Sequence, residues 1–169
     1  METSEKTPKT ATKTDRVLAI DPGKLSGLAW MHQCDGKIYL DDSQEADSDE
    51  IIPVIRPYLA EWRPLEEGSQ PLRLVVERFT INAGTTQKSQ EASWALRTIG
   101  AVEQALRDVD YPLPAIAWQK PAEAKTAFTN DKLKSLGLWH RGGEGHALDA
   151  IRHGTLYLAK VGWTRQNSR

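Results

Sequence analysis

The chain has 169 residues, 39% hydrophobic and 27% charged, with a formal net charge of −1 and one cysteine. That length supports one domain with a sizeable core, and the composition excludes a disordered or fibrous chain. No apolar run approaches the roughly 20 residues that span a bilayer, and the Lys- and Thr-rich start lacks the apolar segment of a secretory signal, so a cytoplasmic protein without membrane association is expected. Cys34 alone cannot build a disulfide framework or a cysteine-rich zinc site.

The small net charge hides an uneven distribution. Between residues 41 and 67, nine acidic side chains face only Arg56 and Arg63, a local balance of −7 that leaves +6 for everything else. The acidic stretch is either a solvated face or a segment that lies away from an anionic partner.

In chain order, residues 1–14 are polar, with Lys6, Lys9 and Lys13, and hold too little apolar surface to offset the entropy of ordering; a flexible arm is expected. Arg16 to Asp21 is nearly all apolar, as in a buried central strand. A turn, Pro22-Gly23-Lys24-Leu25-Ser26-Gly27, leads to a second strand over Leu28 to Met31, and Asp35-Gly36 turns the chain into a third over Lys37 to Leu40. The acidic stretch, with Ile51, Ile52, Val54, Ile55 and Leu59 and with Ser48 or Asp49 as N-cap, predicts a helix that Pro53 can start and Pro57 should kink or shorten. A fourth strand follows over Leu72 to Glu77.

Ser89 to Val109 carries Ala92, Ala95, Leu96, Ile99, Val102 and Leu106 at helical spacing. Pro112 to Trp118 fits a short fifth strand, Pro121 to Leu136 one or two small helices, and Gly145 to Val161 the last helix. The order describes an α/β domain over 15–163 with a mixed sheet, the first and fourth strands side by side at its centre, and a flexible tail over 164–169.

Four groups could carry chemistry. Asp21 closes an apolar strand ahead of a Pro-Gly turn, which places a carboxylate at the strand's carboxyl end, where open α/β sheets bind ligands; the plainer reading is a turn-starting Asp. Glu77 closes another apolar strand, and a buried Glu needs a cation or an ion pair. Neighbouring Arg78 points to the other side of the strand. His146 and Asp149, three residues apart, share a helix face that His153 continues; otherwise Asp149 only satisfies the helix dipole. Three carboxylates and an imidazole make a hard donor set suited to Mg²⁺, with Mn²⁺ substituting. Two such ions about 3.5–4 Å apart would serve phosphodiester hydrolysis without a nucleophilic Ser, Cys or Tyr.

These residues resemble the RuvC-like Holliday junction resolvases of the RNase H-like superfamily. The likeness covers roughly residues 16–161 in order: Ile20-Asp21-Pro22-Gly23 with Ser26-Gly27, then Val76-Glu77, then Pro121 with Lys125, then His146-Ala147-Leu148-Asp149-Ala150. It implies an RNase H-like fold with a five-stranded mixed sheet, and a homodimer that binds four-way DNA junctions and makes paired symmetric nicks, two-fold symmetry matching two strands of like polarity. It also implies that Asp21, Glu77 and Asp149 are the catalytic metal-binding carboxylates, and that His146 stands where members carry Asp or His. Lys125 would be a phosphate contact or transition-state stabiliser, and Lys132 a second such lysine.

The resemblance departs at Phe79, which comes one position earlier than the junction-stacking aromatic of familiar bacterial members; base stacking and a core position both stay open. Phosphate contacts are expected from the Thr85-Thr86-Gln87-Lys88 segment and from Lys120, Lys125 and Lys132, within a region of residues 112–145 whose balance is +2. Arg141-Gly142-Gly143 is either a backbone nest for phosphate or a flexible approach to the last helix. A broader branched-DNA or RNA/DNA-hybrid nuclease, and a non-catalytic branched-DNA-binding protein, are the alternatives. A compact, divergent chain of this kind would suit a phage enzyme.

Overall fold

The computed structural model describes residues 14–60, 70–79 and 89–167. Five strands form one mixed sheet: β1 (Asp15–Asp21), β2 (Leu25–Cys34), β3 (Lys37–Asp47), β4 (Arg73–Glu77) and β5 (Ala117–Gln119), in the order β3-β2-β1-β4-β5. β1, β2 and β3 make an antiparallel meander, while β4 lies parallel to both β1 and β5. The first and fourth strands are thus central neighbours, as the sequence predicts. Asp35 and Gly36, with φ of 50° and 77°, make the tight turn between β2 and β3 that positive φ at both centres requires.

Helices cover both faces. β1 alternates strictly: Leu18 and Ile20 enter one core with Leu28, Leu74 and Val76, beneath α1 (Ile51–Ala60) and α2 (Ser89–Asp108). Val17 and Ala19 enter the other with Ala29, Met31 and Val75, beneath α4 (Asn130–Ser135) and α5 (His146–Asn167), which supply Leu133, Ala150, Ile151 and Leu158. Each fully buried Leu, Ile or Val contributes about 1.5–3 kcal/mol. α3 (Pro121–Ala127) packs beside α5. Close approach of α5 to the sheet needs Gly154, where a Cβ would lie 2.5 Å from Met31 Sδ.

Several elements differ from their sequence outlines. β3 runs on to Asp47, so the first part of the acidic stretch is an edge strand, where charge prevents pairing with foreign strands. The helix therefore starts only at Ile51, and it continues past Pro57 because Ile51, Ile55 and Leu59, one turn apart, are all fully buried. Only Ala117 and Trp118 of the predicted Pro112 to Trp118 strand belong to β5: Leu113–Ala115 is a 3₁₀ turn, since Pro112 and Pro114 cannot donate to a ladder, and β5 is left with three residues. α5 continues to Asn167, past residue 163 where the sequence predicts a tail. Residues 1–13 of the predicted arm lie outside the described residues. Among the described residues no helix is long and apolar enough to cross a membrane.

Candidate active site

Strand parity assembles the site. Asp21 has the parity of Val17 and Ala19, Glu77 that of Val75, and Gln119 that of Ala117, so all three point to the face covered by α5. The register Ile20↔Val76 and Glu77↔Gln119 sets them in a row across the carboxyl ends of β1, β4 and β5. The Pro22-Gly23 turn that ends β1 is held by the Ser26 hydroxyl, which accepts from Gly23 N–H and donates to Gly23 C=O at 3.2 Å each, and by Thr98 Oγ1 of α2, which donates to the same carbonyl at 3.0 Å.

α5 supplies the opposing groups. His146 Nδ1 donates to Asp21 Oδ2 at 2.9 Å. One turn on, Asp149 accepts from Lys125 Nζ at 2.9 Å through one oxygen and from Arg152 through the other. Arg152 also donates to Asn130 and, from Nε, to Phe128 C=O at 3.1 Å. A further turn on, the fully buried His153 donates from Nε2 to Glu77 Oε2 at 2.8 Å, with Nδ1 2.9 Å from Gln119 Oε1. An open cleft of about 560 Å³, lined by Lys125, Thr129, Asn130, Asp131, Asp149 and Arg152, opens on the Asp149 side of the site.

Burial pushes the Asp21 carboxyl above its ordinary 3.8; the His146 hydrogen bond works against that, while the charges of Glu77 and Asp149 add to it. The hydrogen bond to Asp21 raises the His146 imidazole above 6.5, and that to Asp149 raises the Lys125 ammonium above 10.5, in each case against desolvation. The Asp21 carboxylate therefore sits where burial penalises its charge, and a divalent cation would relieve that penalty. The donor set of three carboxylates and an imidazole fits a hard cation such as Mg²⁺. Among the described residues no three His, Cys, Asp or Glu side chains surround one point at ligand spacing; Lys125, Arg152 and the two histidines meet the carboxylates' charge from within.

The structure thus brings Asp21, Glu77, His146, Asp149 and Lys125 to one end of the sheet. Glu77 pairs with His153 rather than with Arg78, which is exposed. Lys120 is exposed at the N-cap of α3, and Lys132 is exposed with its Nζ donating to Ala127 C=O at 2.9 Å. Phe79 is half-buried just beyond β4, and Lys88 lies outside the described residues. Gln119 and Arg152 carry no signal in a linear reading, and His153 is visible only as the continuation of the His146–Asp149 face.

Immediately after the candidate Arg141-Gly142-Gly143 nest, the backbone N–H groups are taken up from inside the protein. Glu45 of β3 accepts from the N–H groups of Glu144 and Gly145 at 2.8 Å and of Ala147 at 3.2 Å, so a carboxylate already occupies the start of α5. Gly27 lets β2 pass directly beneath: a Cβ there would lie 1.8 Å from His146 C=O.

No protein-family model matches the sequence, and no curated protein matches it. Solved structures do. The chain is similar to Thermus thermophilus RuvC in complex with a Holliday junction substrate, with 21% identity, a TM-score of 0.57, and coverage of 89% of this chain and 96% of that one. A second structure of that RuvC gives 20% identity, a TM-score of 0.52, and coverage of 90% and 96%. The yeast mitochondrial Holliday junction resolvase Ydc2 gives 14% identity, a TM-score of 0.53, and coverage of 91% and 80%. Neighbours from Thermus thermophilus and yeast mitochondria lend a phage source no support. The chain adopts the fold of the RuvC resolvases, an α/β fold of the RNase H-like type.

Proposed function

We propose that this protein is a metal-dependent, structure-selective endonuclease that resolves four-way DNA junctions as a homodimer by paired symmetric nicks. The observation that carries this reading is the convergence of Asp21, Glu77, Asp149 and His146 at the carboxyl end of the two central parallel strands. A structural neighbour over 89% of the chain that was solved on a Holliday junction supports branched DNA as the partner. Bound by Asp21, Glu77, His146 and Asp149, two Mg²⁺ ions, or Mn²⁺ in their place, would supply Lewis acidity to an attacking water and to the leaving oxygen.

The chain's own residues do the rest. Water attacks phosphorus, the P–O3′ bond breaks, and the products are a 5′-phosphate and a 3′-hydroxyl, a nick that can be ligated. Lys125, at the rim of the cleft, can bring an ammonium to the negative charge that builds on the phosphate oxygens. Exposed Lys120 and Lys132, with half-buried Phe79 just beyond β4, extend the surface offered to DNA. Dimerisation doubles this modest basic surface and sets two sites on opposed strands.

The test is end-labelled cleavage with Mg²⁺ on a mobile four-way junction, a replication fork, linear duplex and an RNA/DNA hybrid. Symmetric, ligatable nicks confined to the junction are expected, and Asp21→Asn abolishes them while junction binding persists. Equal cutting of fork or hybrid makes the protein a broader nuclease. Binding without cutting by the wild-type chain makes it a branched-DNA-binding protein.

A further inference from the structure

His153 is the most deeply buried ionisable side chain beside the site, with 0% of its surface exposed. A core position on α5, among Ala150, Ile151 and Leu158, would ordinarily take an apolar side chain, because a buried imidazole is tolerated only with both ring nitrogens satisfied. Both are satisfied here, and by groups on two different strands: Glu77 at the end of β4 and Gln119, 7% exposed, at the end of β5. Gln119 is itself fixed from the backbone side, its carbonyl accepting from Arg78 N–H at 2.7 Å. The result is a relay, Gln119–His153–Glu77, that crosses three elements and ends on a carboxylate of the proposed metal site.

The relay has a direction. A neutral imidazole donates from one nitrogen only. Gln119 Oε1 faces Nδ1, so an imidazolium donates to Glu77 and Gln119 at once, while a neutral ring donating from Nε2 accepts at Nδ1 once the Gln119 amide turns its NH₂ inward. A primary amide thus serves His153 in either state while Nε2–H stays on Glu77. His153 takes only Oε2, and among the described residues nothing bonds Oε1 of Glu77. His146 and Asp149, seven and four residues earlier on the same helix, meet the site directly, whereas His153 reaches it only through Glu77.

Resting on the metal-dependent reading above, we propose that His153, backed by Gln119, is a positioning residue that orients Glu77 for metal binding. Partners of this kind typically govern metal affinity by about 10–100-fold. Side-chain geometry supplies a sharp test. Gln at 153 places an amide N–H near the former Nε2 and keeps the bond to Glu77; Asn ends near the former Nδ1 and reaches only Gln119.

The experiment is a Mn²⁺ titration of the full chain without DNA, followed by electron paramagnetic resonance, with thermal melts alongside. His153→Asn and His153→Leu should weaken Mn²⁺ binding by about 10–100-fold, and His153→Gln should stay within about 3-fold of wild type. Equal weakening by Gln and Asn, or lowered melting temperatures with unchanged Mn²⁺ affinity, overturns the proposal. Should Asn and Leu fail to fold, Gln119→Met, which leaves the His153–Glu77 bond in place but unsupported, must weaken Mn²⁺ binding measurably; unchanged affinity overturns the proposal. Loss of Mn²⁺ binding in Asp21→Asn with indifference to residue 153 defeats this inference alone. A wild-type chain that binds no Mn²⁺ defeats the metal-dependent reading and this inference with it.

Discussion

Glu45 caps the helix that carries most of the site, and removing it should cost stability in a pH-dependent way. Its carboxylate is half-exposed and accepts three backbone N–H groups at 2.8, 2.8 and 3.2 Å. Loss of an N-cap acceptor costs about 0.5–2 kcal/mol, and hydrogen bonds to a charged group are worth about 1.5–3 kcal/mol each before solvent screening trims them. For Glu45→Ala we therefore expect a loss of about 1–2 kcal/mol, and about half that for Glu45→Gln, which keeps a neutral acceptor. In a domain of this size each kcal/mol moves Tm by about 2–4 °C, so Glu45→Ala should melt roughly 2–8 °C lower.

The pH dependence fixes the mechanism. Partial burial pushes the Glu45 carboxyl up, but the N–H groups of Glu144, Ala147, Gly145 and His146 outweigh it and hold the carboxyl below its ordinary 4.5. A carboxyl lowered in the folded state contributes its full stability above 4.5 and loses it as pH falls through the folded value. Urea denaturation of wild type and Glu45→Ala across acid pH should show the gap present at neutral pH and closing as Glu45 protonates. Equal stability at neutral pH, or a gap that persists undiminished in acid, refutes the capping argument.

Other outcomes follow from the same geometry. Gly27→Ala would put a Cβ 1.8 Å from His146 C=O and 2.6 Å from Ala147 N, so the start of α5 must move. A stability loss of about 1–3 kcal/mol in urea and a fall in junction cutting of about 100-fold are expected, and wild-type cutting would contradict the close packing. Arg152→Met leaves Asp149 with one of its two cations and strips a partner from Phe128 C=O and Asn130. We expect a loss of about 2–4 kcal/mol by denaturant titration, and a change under 0.5 kcal/mol counts against a structural role. Lys125→Met frees Asp149 Oδ2, so Mn²⁺ binding should be at least as tight as in wild type while single-turnover cleavage falls about 100-fold; weaker Mn²⁺ binding would show that Lys125 supports the site rather than competing within it.

What the sequence reveals is what strand and helix periods encode. Asp21 and Glu77 stand out because each ends an apolar run, and two-residue parity then sends both to the α5 face. His146 and Asp149 stand out because their spacing matches a helical turn. Gln119 is hidden because the mostly apolar 112–118 segment reads as a longer strand despite its prolines, which obscures that β5 ends level with Glu77. Glu45 is hidden among the acidic residues around it: local charge counts read it as surface, whereas its partners are about 100 residues away in the chain. Arg152 falls on the helix face already occupied by Asp149, and only the packing of the α3–α4 junction against α5 explains its contacts with Phe128 and Asn130.

α5 alternates site and core residue by residue. His146, Asp149, Arg152 and His153 meet charged or polar partners, while Ala147, Ala150, Ile151 and Leu158 between and after them are fully buried. A helix so divided has no separate melting unit: the amides of its middle turns exchange with solvent only when the whole domain opens. On heating, loss of activity should therefore coincide with loss of helical circular dichroism, without an earlier phase in which a folded protein has a disordered site.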